Sequence, residues 1–228
     1  MSKCTNCPHA GKYAFCNLGE AAREFLDEQS ITVEYPRGSI FFRQGEPGSA
    51  VFLICSGKVK VMASSTEGRL AILRVARHGD VLGMSAVLGE TDYEVTAEAL
   101  EPCRVRVLHA RTLSQFMRDF DDATLGVARA LSQDYRAAFQ EVRRIALPET
   151  PAGRLSQLIL DWAEESKEDG AANITMTLTH EELASMTATT RETVTRTLGR
   201  LKKDNVIAIK GIALTVLKPE VLHQLAAS

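Results

Sequence analysis

Thr190-Arg191-Glu192-Thr193-Val194-Thr195-Arg196, continued by Arg200, Lys202 and Lys203, decides how this chain is read. Between residues 190 and 210 stand Arg191, Arg196, Arg200, Lys202, Lys203 and Lys210 against Glu192 and Asp204, a local net charge of +4 in a chain whose formal charge is −2. Residues three to five apart share a helix face, so a helix here displays Arg191, Glu192, Thr195 and Arg196 together. Arginine can fork onto guanine O6 and N7, and glutamate can accept from the exocyclic amine of cytosine. A solvated charged surface is the commoner origin of such a cluster, so the flanking sequence has to decide.

Upstream, Thr179-His180-Glu181-Glu182-Leu183-Ala184-Ser185-Met186 reads as a short helix, with Thr179 and Glu182 at the capping-box spacing. Thr187-Ala188-Thr189-Thr190 is a tight connection, and Thr190 caps the second helix. Val194, Leu198 and Leu201 give that helix a buried side opposite its polar one. Val206-Ile-Ala-Ile209 and Ile212-Ala-Leu-Thr-Val216 flank Lys210-Gly211, a hairpin signal. Helix, turn, helix and hairpin predict a winged helix-turn-helix that binds double-stranded DNA.

At 228 residues the chain suits two modest domains. No apolar run approaches the roughly 18–20 residues a membrane span needs, and nothing at Met1 resembles a secretory signal. A cytoplasmic protein is expected, in which five cysteines are poor candidates for structural disulfides. Residues 1–20 form a cysteine-containing arm. Over 21–111, short alternating segments are punctuated by glycine: Ser39–Phe42, Ala50–Ile54, Lys58–Val61, Leu70–Leu73, Val95–Ala99 and Arg104–Leu108. This spacing predicts a compact β-barrel or β-roll. A long helix is expected over 112–147, from about Thr112 to Ile145, with a break near Asp121-Asp122. Along it Ala128, Leu131, Tyr135, Ala138, Val142 and Ile145 form a narrow stripe, which predicts a homodimer seam rather than a face lying on the β-roll. Leu147-Pro148-Glu149-Thr150-Pro151 ends the helix and makes a hinge to a DNA-binding domain over 148–228. The fold class is α+β: a β-roll, a long dimerisation helix and a C-terminal winged helix-turn-helix.

With Gln44-Gly45-Glu46, Ser56-Gly57-Lys-Val, Gly79-Asp80-Val-Leu-Gly83 and Thr190-Arg-Glu-Thr-Val-Thr-Arg196 in this order, the chain resembles the Crp/Fnr superfamily of bacterial transcription regulators over residues 18–225. Ala188 departs from the glycine often found in the recognition turn. The resemblance implies a dimer on a palindromic promoter site and contact with RNA polymerase. It further implies base reading by Arg191, Glu192, Thr195 and Arg196, with TGTGA-like or TTGAY-like half-sites. Phosphate contacts fall to Thr190, Arg200, Lys202, Lys203 and Lys210.

The input is less directly written. Family members that bind cyclic AMP place a glutamate and an arginine after the residue equivalent to Gly83. Here Met84 follows, and no Arg or Lys occurs from Gly83 through Cys103. A buried phosphate without a cation is costly, and Ala138 and Phe139 replace the hydroxyl pair of those members' dimer helix, so cyclic AMP is disfavoured. Cys4-Thr-Asn-Cys7 with Cys16 resembles the cysteine group of Fnr-type oxygen regulators, which hold a [4Fe–4S] cluster; soft thiolates suit iron. The resemblance places the fourth ligand of that type at Arg106, which cannot ligate, leaving Cys103 or Cys55 as candidates, although core cysteines are the commoner reading of both. A thiol–disulfide switch, a zinc site assisted by His9, haem through His78 or His109, and an inert arm are the alternatives. For a cluster, its loss in oxygen would change packing on the long helix and thereby the dimer. No catalytic constellation stands in the chain: neither a Ser/His/Asp pattern, nor a phosphate-binding glycine loop, nor HExxH. A regulator rather than an enzyme is expected.

Overall fold

The computed structural model describes residues 3–7, 11–13, 15–68, 70–148, 150–168 and 173–227. His9 and Glu149 lie outside them. The chain divides into two compact units, Met1–Ala138 and Phe139–Ser228.

The first unit opens with a single 3-10 turn, Cys4–Asn6, followed by α1 (Glu20–Gln29). Eight strands follow: β1 (Ile31–Tyr35), β2 (Ile40–Phe42), β3 (Ala50–Ser56), β4 (Val59–Ser64), β5 (Leu70–Ala76), β6 (Val81–Leu82), then α2 (Met84–Gly89), β7 (Thr96–Ala99) and β8 (Cys103–His109). They form two four-stranded antiparallel sheets, ordered β1-β8-β3-β6 and β2-β7-β4-β5. This is the expected β-roll. Alternation along β3 and β8 separates two cores. Phe52, Ile54, Cys103, Val105 and Val107 pack between the sheets with Phe42 and Tyr93. Val51, Leu53 and Leu108 face the other way, onto Phe15, Leu26, Leu113 and Phe116. Each such fully buried large side chain stabilises the fold by about 1.5–3 kcal/mol.

The long helical region is two helices, α3 (Ala110–Asp119) and α4 (Asp121–Ala146). The break falls at Phe120, extended at φ −136°, ψ 114°, so that Asp121 and Asp122 begin α4, where acidic side chains complement the helix dipole. Ala123, Val127 and Ala130 pack α4 into the first unit's core, and Leu131 of the predicted seam packs against the same core.

In the second unit α5 (Pro151–Glu168), α6 (His180–Met186), α7 (Arg191–Lys203) and α8 (Pro219–Ala226) surround a sheet ordered β10-β11-β9, with β9 (Ile174–Thr175), β10 (Ile207–Lys210) and β11 (Ala213–Val216). Both predicted caps are present: Thr179 and Glu182 close a capping box, and Thr190 accepts from the Thr193 amide. Leu155, Leu158, Leu183, Met186, Val194, Leu198 and Leu201 are buried. Among the described residues no helix is long and apolar enough to cross a membrane.

Candidate nucleic-acid interface and cysteine cavity

On α7 the buried stripe of Val194, Leu198 and Leu201 leaves Arg191, Glu192, Thr195, Arg196, Arg200, Lys202 and Lys203 exposed, and Lys210 is exposed on the hairpin. Thr195 Oγ1 donates to the Arg191 carbonyl (2.9 Å) and lies 2.8 Å from His180 Nδ1. With its hydroxyl engaged, Thr195 has its methyl left for an apolar contact. Glu192 folds back on the helix start. Its own backbone amide, then the Thr190 hydroxyl and the Arg191 charge, hold its carboxyl below the usual range.

The turn ahead of α7 is held by arginines that sequence reading passed over. Ala188 sits at φ +47°, the left-handed region that disfavours a Cβ. Arg154 of α5 donates from Nε to the Thr187 carbonyl and from Nη2 to the Ala188 carbonyl (2.7 and 3.2 Å). Arg144, only 4% exposed near the end of α4, forks onto Glu141 and reaches the Met186 carbonyl. Burial lowers its pKa to about 10, opposed by the charges of Asp161 and Glu165. An isolated arginine in sequence reads as a surface charge, so nothing flagged either residue.

The seam residues Ala128, Tyr135, Ala138, Val142 and Ile145 are exposed and Leu131 is half-buried. Tyr135 is 69%, Phe139 56% and Val142 61% exposed, a continuous apolar strip on a helix whose other face is already packed.

The N-terminal cysteines converge. Cys4, Cys7, Cys16 and Cys55 all line one cavity of about 260 Å³ in the first unit, together with Lys3, Arg23, Arg104 and Arg106. No Asp or Glu lies on its wall among the described residues, and the buried Arg23 Nε has no hydrogen-bond partner among them. The fit to an anionic occupant is therefore good. Of the two candidates for a fourth ligand, the fold brings only Cys55 to the arm. Cys103 is fully buried between the sheets, where its Sγ contacts the Lys58 and Glu101 carbonyls (3.3 and 3.1 Å). It also underlies Gly57 (φ +91°), whose Cβ, if present, would stand 2.6 Å from that sulfur. Burial pushes the Cys4 thiol up to about 11 and Cys16 up to about 12, and raises Cys55. Thiolate, the attacking form in disulfide exchange, is thus scarce at Cys4 and Cys16 near neutrality.

Beneath the arm, Arg106 (4% exposed) occupies the β8 position facing the cavity. It bonds Asp27 Oδ1 (2.5 Å), the Leu26 carbonyl (3.1 Å) and Ser30 Oγ (2.8 Å). Asp27 also accepts from the Cys4 amide (2.6 Å), the Thr5 amide (3.1 Å) and the Thr5 hydroxyl (3.0 Å). Burial alone would raise this carboxyl; the hydrogen bonds and the Arg106 charge outweigh it and hold it low. Of the residues after Gly83, Met84 is fully buried in the helix-facing core, and the Tyr93 hydroxyl bridges the Ala50 carbonyl and amide (2.7 and 3.0 Å).

Residues 32–120 match the cyclic nucleotide-binding domain family and residues 153–225 the Crp-like helix-turn-helix domain. Their combination defines a DNA-binding transcription regulator, not an enzyme. By these two domains the chain belongs to the Crp/Fnr family. It is similar to the CRP-like cAMP-activated global transcriptional regulator of Mycobacterium tuberculosis, 26% identical over 214 residues, covering 93% of this chain and 95% of that protein. It is also similar to the anaerobic regulatory protein of Bacillus subtilis, 26% identical over 188 residues, covering 82% and 79%. The solved structure of FixK2 from Bradyrhizobium japonicum shares the fold, with a TM-score of 0.78 at 18% identity over 87% of this chain and 98% of that one.

Proposed function

We propose that the protein is a homodimeric regulator of a palindromic promoter site whose DNA-binding state is set by a [4Fe–4S] cluster held through Cys4, Cys7 and Cys16. The observation that carries the input half is the cysteine-lined, cation-walled cavity. When bound, such a cluster supplies an oxygen-labile anionic centre. Among the described residues no group of three His, Cys, Asp or Glu side chains is placed to hold a metal ion, so the reading rests on the four cysteines that share the cavity wall. The zinc variant that uses His9 involves a residue outside those described.

The chain's own residues link this cavity to the long helix. Asp27 ties the Cys4 turn to α1, and Phe25 of α1 stacks on Phe116 and meets Phe120 edge-on, at the joint between α3 and α4. Just ahead of α1, the Gly19 amide donates to Asp122 on the first turn of α4 (2.5 Å). A change in the arm is thereby passed to the helix that carries the seam, and a dimer equilibrium responds to it. Cyclic AMP is not the effector in this reading, since Met84 is core and no cation stands between Gly83 and Cys103. That one relative is named for anaerobic regulation suits a redox input; the cyclic-AMP relative shares the output.

For the output, Arg196 is assigned to guanine, Glu192 to cytosine or adenine amines, and Arg191 to a second guanine or phosphate. The Thr195 methyl is assigned to thymine. Thr190, Arg200, Lys202, Lys203 and Lys210 take phosphates. The Arg-Glu-x-x-x-Arg pattern points to TGTGA-like or TTGAY-like half-sites, and the DNA-bound dimer would contact RNA polymerase. Anaerobic purification tests the input. A brown protein carrying iron and sulfide, bleached by air together with a change in its shift of palindromic DNA, is expected; a colourless, iron-free anaerobic protein overturns it.

A further inference from the structure

We infer that Cys55, on the bulge of β3, is the fourth thiolate of the cluster site, in a place where β8 offers an arginine. This rests on the cluster reading above. The β3–β8 register runs Leu53 opposite Arg106 and Ile54 opposite Val105, then slips so that Ser56 faces Arg104. Cys55 is the extra residue of that slip. A bulge re-aims side chains that strict alternation would place elsewhere. Here Cys55 packs with Cys4 and Cys16 on the helix-facing core, whereas Cys103 belongs to the core between the sheets.

The choice is also one of charge. Three cysteines on one arm leave one iron of a cubane without a protein thiolate, and Cys55 is the one further cysteine on the cavity wall. Arg106, opposite Leu53, cannot ligate, and its guanidinium is committed to Asp27, the Leu26 carbonyl and Ser30. It remains on the wall as a fixed cation, beside Lys3, Arg23 and Arg104, suited to an anionic thiolate assembly. Asp27 serves the same geometry from the far side, because the carboxylate that holds Arg106 also holds the Cys4 amide.

The test uses the full-length chain, purified anaerobically and reconstituted with ferrous iron and sulfide. Wild type, Cys55→Ser, Cys55→Ala and Cys103→Ser are compared by iron and sulfide content, visible absorbance and circular dichroism. The expected result is at least a tenfold loss of bound iron in both Cys55 variants with the fold retained, and wild-type iron in Cys103→Ser. Wild-type iron in a folded Cys55 variant overturns the assignment. If wild type itself binds no iron or sulfide, the cluster reading fails separately. The placement of Cys55 is then read on the iron-free protein: diamide, which takes up the electrons and protons of two thiols, should join Cys55 to Cys4, Cys7 or Cys16 in peptide maps. Loss of those cross-links with pairing confined to the arm overturns the placement as well.

Discussion

Arg154 Nε donates to the carbonyl of Thr187 across 2.7 Å, so the first turn of α5 holds the turn between the two DNA-recognition helices. The same guanidinium reaches the carbonyl of Ala188, the residue held at φ +47°. The Arg154 side chain thereby holds the turn from which α7 begins. Hydrogen bonds to a charged group contribute about 1.5–3 kcal/mol each when buried. Arg154→Met is expected to lower the melting temperature and to weaken binding to the specific site by about tenfold or more. The slope of log affinity against log salt should not change, because no phosphate contact is lost. Fluorescence anisotropy at several salt concentrations checks this, and a shallower slope would make Arg154 a phosphate contact instead.

Arg196 and Arg200 lie four residues apart on α7, both exposed, with different assigned roles. Arg196→Met should cost about 1–3 kcal/mol on the preferred half-site and little on DNA changed at the paired guanine. Arg200→Ala should weaken all sequences alike and reduce the salt slope by about 1. Competition with half-site variants separates the two patterns; equal behaviour of both variants would refute the assignment.

Tyr135 and Val142 expose apolar surface on α4. Each side chain enters a two-fold interface twice, so Val142→Glu forfeits burial of about 1.5–3 kcal/mol per copy. Weakening of the dimer on the order of a hundredfold is expected by sedimentation velocity, with the monomer's circular dichroism unchanged. A variant that sediments as wild type does would place the interface elsewhere.

Asp134 of α4 pairs with Arg74 at 2.6 Å, yet burial raises its pKa from 3.8 to about 6; the Arg74 charge opposes the rise and Asp80 adds to it. The folded state therefore holds more protons than the unfolded state between these values. Stability from this group is greatest below pH 3.8, falls as pH rises toward about 6, and levels off above. Asp134→Asn should melt close to wild type at the acid end and above it at pH 7.5. Parallel melting curves for the two proteins across this range would contradict the buried-carboxyl account.

Cyclic AMP at millimolar concentration should leave the melting temperature unchanged, because Met84 is core and no cation follows Gly83 before Cys103. Binding with a dissociation constant tenfold below the added concentration would add about 1.4 kcal/mol of stability. A rise of that size in differential scanning fluorimetry would restore the nucleotide as an effector.

The output was legible because it is local. Thr179 with Glu182, and Thr190 with Val194, Leu198 and Leu201, state their caps and faces within one or two turns. The strands announced themselves by turn glycines, although β1, β6 and β9 were too short or too uneven in pattern to separate from loops. Helix α1 is faint in the sequence because only Ala22 and Leu26 are fully buried on it and no side chain caps it. Helix α8 begins at Pro219, only eight residues long and with no side-chain cap, too little to stand out in the sequence. The cavity was half legible. Three cysteines of an arm are visible as a group, but the arrival of Cys55 depends on one slipped residue between β3 and β8, which no periodicity encodes. Arg144, buried, and Arg154, half-buried, bond to carbonyls more than thirty residues away, which no local pattern announces.

The exposed strip from Tyr135 to Ile145 has a consequence of scale. In the homodimer proposed above, a face met by its own duplicate makes abundance an input in its own right. Below the dimer's dissociation constant the amount of DNA-competent species rises with the square of the chain's concentration, so doubling synthesis would quadruple it. A promoter under such control would respond steeply to the regulator's own supply before any signal reached the arm.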